Sequence, residues 1–149
     1  MIKQKLNDDI KVAMLAGAAA RVECLRGLKS AILYAEVAAG KREEGLNDAE
    51  IEALFMKEAK KRQESADLYI QGGSQQRADK ELAEKAIIEA YLPEQLSEDE
   101  IAAAIDEVIS QVKPTGMQQM GQVISQVKTR LGSSADGALV AKIVKEKLQ

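Results

Sequence analysis

The sequence predicts an all-α protein, and three of its properties carry that expectation. Apolar residues recur at intervals of three and four along almost the whole chain, the spacing of one face of a helix. Alanine supplies much of the 46% apolar share, and small side chains suit close helix packing. One phenylalanine, three tyrosines and no tryptophan leave few of the aromatics on which a β-sandwich draws.

Ile2, Leu6, Ile10 and Met14 stand four residues apart and mark the inward stripe of a first helix ending near Gly17. A second helix carries Val22, Leu25, Leu28 and Ile32 and stops around Gly40. The polar stretch from Gly40 to Gly45 reads as a loop. Asn47 followed by Glu50 has the form of a capping box, so a third helix is expected over 48–71, with Ile51, Phe55, Ala59, Ala66 and Ile70 inward. Gly72 and Gly73 end it. A fourth helix follows over about 75–90.

Pro93 restricts the residue before it and cannot donate a backbone hydrogen bond, which sets an expected boundary between a domain of residues 1–93 and a second of 94–149. Ser97 and Glu100 form a second capping box, opening a fifth helix faced by Ile101, Ile105, Val108, Ile109 and Val112. Thr115 with Gln118 predicts a third box before a sixth helix bearing Met120, Val123, Ile124, Val127 and Leu131. Asp136 is the expected N-cap of a seventh, striped by Leu139, Val140, Ile143, Val144 and Leu148. A three-helix unit of this size is small for a free-standing core and is expected to lean on the first domain or on a partner. The strings Val108 to Lys113 and Val123 to Lys128 match, but two short amphipathic helices repeat this way by chance.

Composition excludes several kinds of chemistry. The absence of histidine removes Ser-His and Cys-His nucleophile pairs, an imidazole base and the usual mixed metal site. A single thiol, Cys24, cannot form an intrachain disulfide and reads as a small buried hydrophobe. The adjacent acids Asp8-Asp9, Glu43-Glu44 and Glu98-Asp99-Glu100 read as helix-dipole partners rather than acid and base catalysts. Met117 and Met120 read as core filling rather than a groove. No phosphate-binding glycine loop, GxGxxG or CxxC occurs. No apolar run approaches the roughly 20 residues of a membrane span and the N-terminus lacks a signal peptide's apolar core, so a cytoplasmic location is expected. No cofactor and no metal are expected.

Charge is distributed unevenly. The formal total is -3, yet residues 94–110 hold six acids and no base, whereas 111–149 hold six bases and two acids. Lys57, Lys60, Lys61 and Arg62 on the third helix are matched by acids, Glu58 with Arg62 and Lys60 with Glu64, and read as a self-paired solvated face. The C-terminal bases are less compensated. Lys142 and Lys145 share a helix face, Lys128 and Arg130 lie in the last turn before the 132–137 turn, and the amides at Gly137 open the last helix. Such a set can receive phosphate. The same lysines also complement a helix dipole, and the residues alone do not separate the two readings.

Four strings then carry a resemblance across essentially the whole chain: Leu25-Arg26-Gly27-Leu28-Lys29-Ser30-Ala31-Ile32, Lys60-Lys61-Arg62-Gln63-Glu64-Ser65-Ala66, Glu89-Ala90-Tyr91-Leu92-Pro93-Glu94-Gln95-Leu96-Ser97 and Ala135-Asp136-Gly137-Ala138-Leu139-Val140. The sequence resembles the YqeY family, stand-alone relatives of the tail region of the B subunit of the glutamyl-tRNA and aspartyl-tRNA amidotransferase. It departs at Gly27, where a larger apolar residue is usual, and between Gly116 and Gly121, short of a lysine often found there.

The resemblance implies an N-terminal helical domain of about four helices, a small C-terminal three-helix domain, and a link to tRNA. Members often carry the label of a carbon–nitrogen ligase with glutamine as amide donor. No catalytic residue for that reaction is visible in this chain, so the label is read as belonging to the larger enzyme. The expectation is a non-catalytic, tRNA-binding or tRNA-associated module with Lys128, Arg130, Gly137, Lys142 and Lys145 as phosphate contacts. The alternative is a protein-interaction module docking on an amidotransferase or aminoacyl-tRNA synthetase through the acidic stretch from Glu94 to Glu107.

Overall fold

The computed structural model describes residues 1–149 and is all-helical. Helices α1 (Ile2–Leu15), α2 (Ala19–Ala38), α3 (Asp48–Gln71) and α4 (Gln75–Glu89) are followed by α5 (Glu98–Val112), α6 (Met120–Leu131) and α7 (Gly137–Leu148). The chain divides into two compact units, Met1–Leu92 and Pro93–Gln149.

In the first unit, α1 and α2 form one hairpin and α3 and α4 another, with α2 packed on both helices of the second. The core is a single cluster built around Leu6, Ile10, Leu25, Leu28, Ile51 and Phe55. Burying side chains of this size contributes about 1.5–3 kcal/mol each. Asn47 caps α3 as its spacing predicts: its Oδ1 accepts from the Glu50 amide at 2.9 Å, and Glu50 Oε1 accepts from the Asn47 amide at 3.4 Å. Of the two glycines that end α3, only Gly73 takes a positive φ, 80°, the conformation an L side chain resists.

Two inward assignments fail for the same geometric reason. A strict spacing of four advances about 40° around a helix at each step, so a four-residue stripe leaves the buried face after several steps. Met14 is accordingly 53% exposed, and Ala13, three residues after Ile10, takes the buried place. Ile70, one step beyond the fully buried Ala66, is 49% exposed.

The second unit encloses its own core of Ile101, Ile105, Val108, Val123, Val127 and Val144, among others. Ser97 and Glu100 form the expected reciprocal box at the start of α5. The chain before it is fastened to the α6–α7 turn, because the Leu96 amide donates to the Ser134 carbonyl at 2.8 Å and Gln95 Nε2 to the Ser133 carbonyl at 2.7 Å. The Thr115–Gln118 box does not form. The Thr115 amide donates to Gln119 Oε1 at 2.5 Å instead, because a 3-10 turn over Met117–Gln119 delays the start of α6 to Met120 and brings Gln119 into reach.

Candidate nucleic-acid interface

Arg130, Lys128, Gly137, Lys142 and Lys145 all fall in the second unit, on α6 and α7. The amphipathic pattern of α6 buries Val123 and Val127, which leaves Lys128 and Arg130 exposed in its last turn. On α7, Val140, Ile143 and Val144 face inward, which turns Lys142 and Lys145 outward on the opposite side.

The residues are not equivalent. Arg130 is already engaged: its Nη1 lies 2.8 Å from Glu107 Oε2 on α5. Lys147 is held the same way by Asp106, at 2.8 Å. Two bases of the tail therefore neutralise two acids of α5, while Lys128, Lys142 and Lys145 have no ion-pair partner within the chain.

Lys128 and Gly137 are brought together. A β-carbon at position 137 would lie 3.2 Å from Lys128 Cε and 3.4 Å from Nζ, so the ammonium stem crosses the first residue of α7 in space that a side chain would fill. A lysine ammonium and the unpaired amides of a helix N-terminus favour the same class of ligand, an anion. The Asp136 carboxylate shares this position and accepts from the Ala138 amide at 3.4 Å, as its predicted N-cap role requires. Lys142 and Lys145 extend the exposed positive charge along α7.

In the basic run of α3, the expected pair of Glu58 with Arg62 forms, and Lys61 also reaches Glu58. Arg62 Nη1 lies 3.3 Å from Glu58, and its Nε lies 3.0 Å from Glu84 on α4. Arg62 is thus a clasp across the α3–α4 hairpin rather than an open phosphate contact. Cys24 is buried, and burial first, then the Glu84 carboxylate, push its thiol pKa above the ordinary value, which suppresses the reactive thiolate.

Polar residues that the spacing of the sequence did not single out organise the first unit. Glu36 is almost wholly buried and is held by Lys3 and by the Leu46 amide at 2.8 Å. Tyr91 donates to Asp9, packs edge-on against Phe55 with centroids 5.8 Å apart, and carries the Lys5 ammonium 5.1 Å from its ring centre. The only sequence signal for Tyr91 is its place in the third of the four strings.

The fold defines a two-unit helical module whose C-terminal unit leaves Lys128, Lys142 and Lys145 exposed and without an ion pair. The chain belongs to the family described as Yqey-like protein, whose model matches residues 3–148. It is also 40% identical over 58 residues to a subunit of the glutamyl-tRNA(Gln) amidotransferase of Thermococcus gammatolerans, a match covering 36% of this chain and 9% of that protein. No helix is long and apolar enough to cross a membrane.

Proposed function

We propose that the chain is a non-catalytic module that holds tRNA, with Lys128, Gly137, Lys142 and Lys145 as phosphate contacts. The observation that carries this reading is the convergence of Lys128 on Gly137 at the start of α7, the helix that also exposes Lys142 and Lys145 without ion pairs. The similarity to an amidotransferase subunit that is named for a glutamyl-tRNA supplies the class of ligand. Arg130 is given a weaker role than the sequence assigned it, since an incoming phosphate must compete with Glu107. Lysine contacts of this kind position a backbone without reading bases. Glutamine hydrolysis by the isolated chain is expected to be undetectable, and the proposed location is the cytoplasm, with the translation machinery.

Filter binding to bulk tRNA at low and moderate salt tests this. Retention at low salt that falls with added salt and is lost in Lys142→Glu/Lys145→Glu supports it; no retention at low salt, or retention unchanged in that variant, removes it.

The alternative, docking on a basic amidotransferase or synthetase surface through residues 94–107, has less to work with than the bare sequence implied. Asp106 and Glu107 hold Lys147 and Arg130, and Glu100 closes the α5 cap, which leaves Glu94, Glu98 and Asp99. Capture of an amidotransferase or synthetase from extract after nuclease treatment, abolished by neutralising those three acids, would favour it over the RNA reading.

A further inference from the structure

A groove runs the length of the α1–α2 hairpin, far along the sequence from the C-terminal lysines. A depression of about 620 Å³ spans Lys3, Leu6 and Ile10 on α1 and Arg26, Lys29 and Leu33 on α2. A second, of about 500 Å³, continues it to the α1–α2 turn, and Arg26 lines both. The lining positions step by three and four along each helix, from Lys3 to Met14 on α1 and from Ala19 to Glu36 on α2, so both depressions lie along one seam. The eleven steps from Lys3 to Met14, at about 1.5 Å each, give the groove a length of roughly 16 Å along α1, about three turns of a docked helix.

The string Leu25 to Ile32 shows why this surface is not core. Its apolar members Leu25, Leu28 and Ile32 are buried, while Arg26, Lys29 and Ser30 stand at the surface beside the groove. The guanidinium of Arg26 has only the Met14 thioether as a partner, at 3.6 Å, and Lys29 has no ion pair. Lys3 and Glu36 neutralise each other at one end and Glu23 lines the other, so Arg26 and Lys29 leave the lining with a net charge of +1. The floor is aliphatic, and Met14 and Leu33, 53% and 50% exposed, form apolar walls.

We propose that this seam is a docking groove for an amphipathic helix of a partner protein that carries acidic residues beside an aliphatic stripe. The groove is open and elongated, whereas a small-molecule site encloses most of its ligand. It has no aromatic side chain on which a base could stack, which disfavours a single-stranded nucleic acid. A helix laid in the seam puts residues at i, i+3, i+4 and i+7 on the floor and turns its flanking carboxylates to Arg26 and Lys29, the first able to make a bidentate pair. The acidic helix α5 of a second copy does not supply that helix: it begins with Glu98, Asp99 and Glu100, but its apolar stripe is committed to its own core.

The test is selection of helical peptides of about four turns from a display library on the full chain, followed by fluorescence anisotropy with the strongest binder. The expected winners have aliphatic residues at three- and four-residue spacing with Asp or Glu alongside. Their affinity falls about tenfold or more in Arg26→Glu/Lys29→Glu and, independently, in Leu33→Glu, and is unchanged in Lys142→Glu/Lys145→Glu. Leu33 and Arg26 are exposed, and circular dichroism and melting temperature verify that each variant is folded. Failure to enrich any peptide, enrichment without acidic bias, or affinity unaltered by the groove variants overturns the proposal. Displacement of the peptide by bulk tRNA also overturns it, by making the groove a nucleic-acid surface. The C-terminal variant separates this site from the RNA-holding lysines, so either reading can fail alone.

Discussion

Tyr91 donates its hydroxyl hydrogen bond to Asp9, joining the residue just past α4 to the middle of α1 across 82 positions of sequence. The same ring sits edge-on to Phe55 of α3, and burial followed by the Asp9 carboxylate drives the phenol's pKa well above its ordinary range. One side chain therefore ties α1, α3 and the end of α4 together immediately before the boundary between the two units.

Removing the hydroxyl and removing the ring should have different costs. Tyr91→Phe loses a charge-assisted hydrogen bond while leaving Asp9 partly solvated, and is expected to cost about 1–2 kcal/mol. Tyr91→Ala also empties space against Phe55 and is expected to cost about 3–5 kcal/mol. Urea denaturation of both variants checks the order; equal losses would mean that the ring contributes nothing beyond the hydroxyl, and no loss in Tyr91→Phe would mean that the hydroxyl contributes nothing.

Acid should weaken the first unit through Glu36. Lys3 first, then the Leu46 amide, hold its carboxyl below the ordinary glutamate range. A carboxylate whose folded pKa is depressed contributes stability that is fully present above the unfolded value, about pH 4.3, and is lost as pH falls through the folded value. The destabilisation caused by Glu36→Gln is therefore expected to be largest near pH 7 and to shrink below about pH 4. Melting curves from acid to neutral pH check this, and a pH-independent difference would exclude the linkage.

Two glycines should respond to alanine in opposite directions. Gly45 has a φ of +78°, and a β-carbon there would meet Lys3 Nζ at 2.6 Å and Glu36 Oε2 at 2.9 Å, so Gly45→Ala should destabilise by at least about 1–2 kcal/mol. Gly27 lies within α2 with nothing inside 4 Å of the added atom, so Gly27→Ala should stabilise by about 0.5–1 kcal/mol. Thermal melts of the pair decide the matter. Gly27, one of the two places where the chain departs from the resemblance, is thus an exposed position with room for a β-carbon.

These residues also mark where the sequence was legible. Local signals survived folding: the boxes at Asn47 and Ser97, the Asp136 cap and the Glu58–Arg62 pair all involve partners within four positions. Relationships across longer separations were not readable. Glu36 finds Lys3 33 residues away, and Arg130 finds Glu107 at a separation of 23, so the sequence left Glu36 without a role and Arg130 with one it shares. Net charge by segment identified the basic tail but could not show that part of it is spent on α5. The closeness of Lys128 to Gly137 depends on how the α6–α7 turn closes, which spacing alone does not determine.

If Lys128, Lys142 and Lys145 hold an RNA backbone, as proposed, the affinity for tRNA must depend on salt. Each phosphate contact contributes roughly 0.7–0.9 to the slope of log affinity against log salt. Wild-type chain is expected to bind with a steep negative slope, and Lys142→Glu/Lys145→Glu to lower its magnitude by at least about 1.5 while binding weakens. A flat wild-type slope, or the same slope in the variant, would contradict the account.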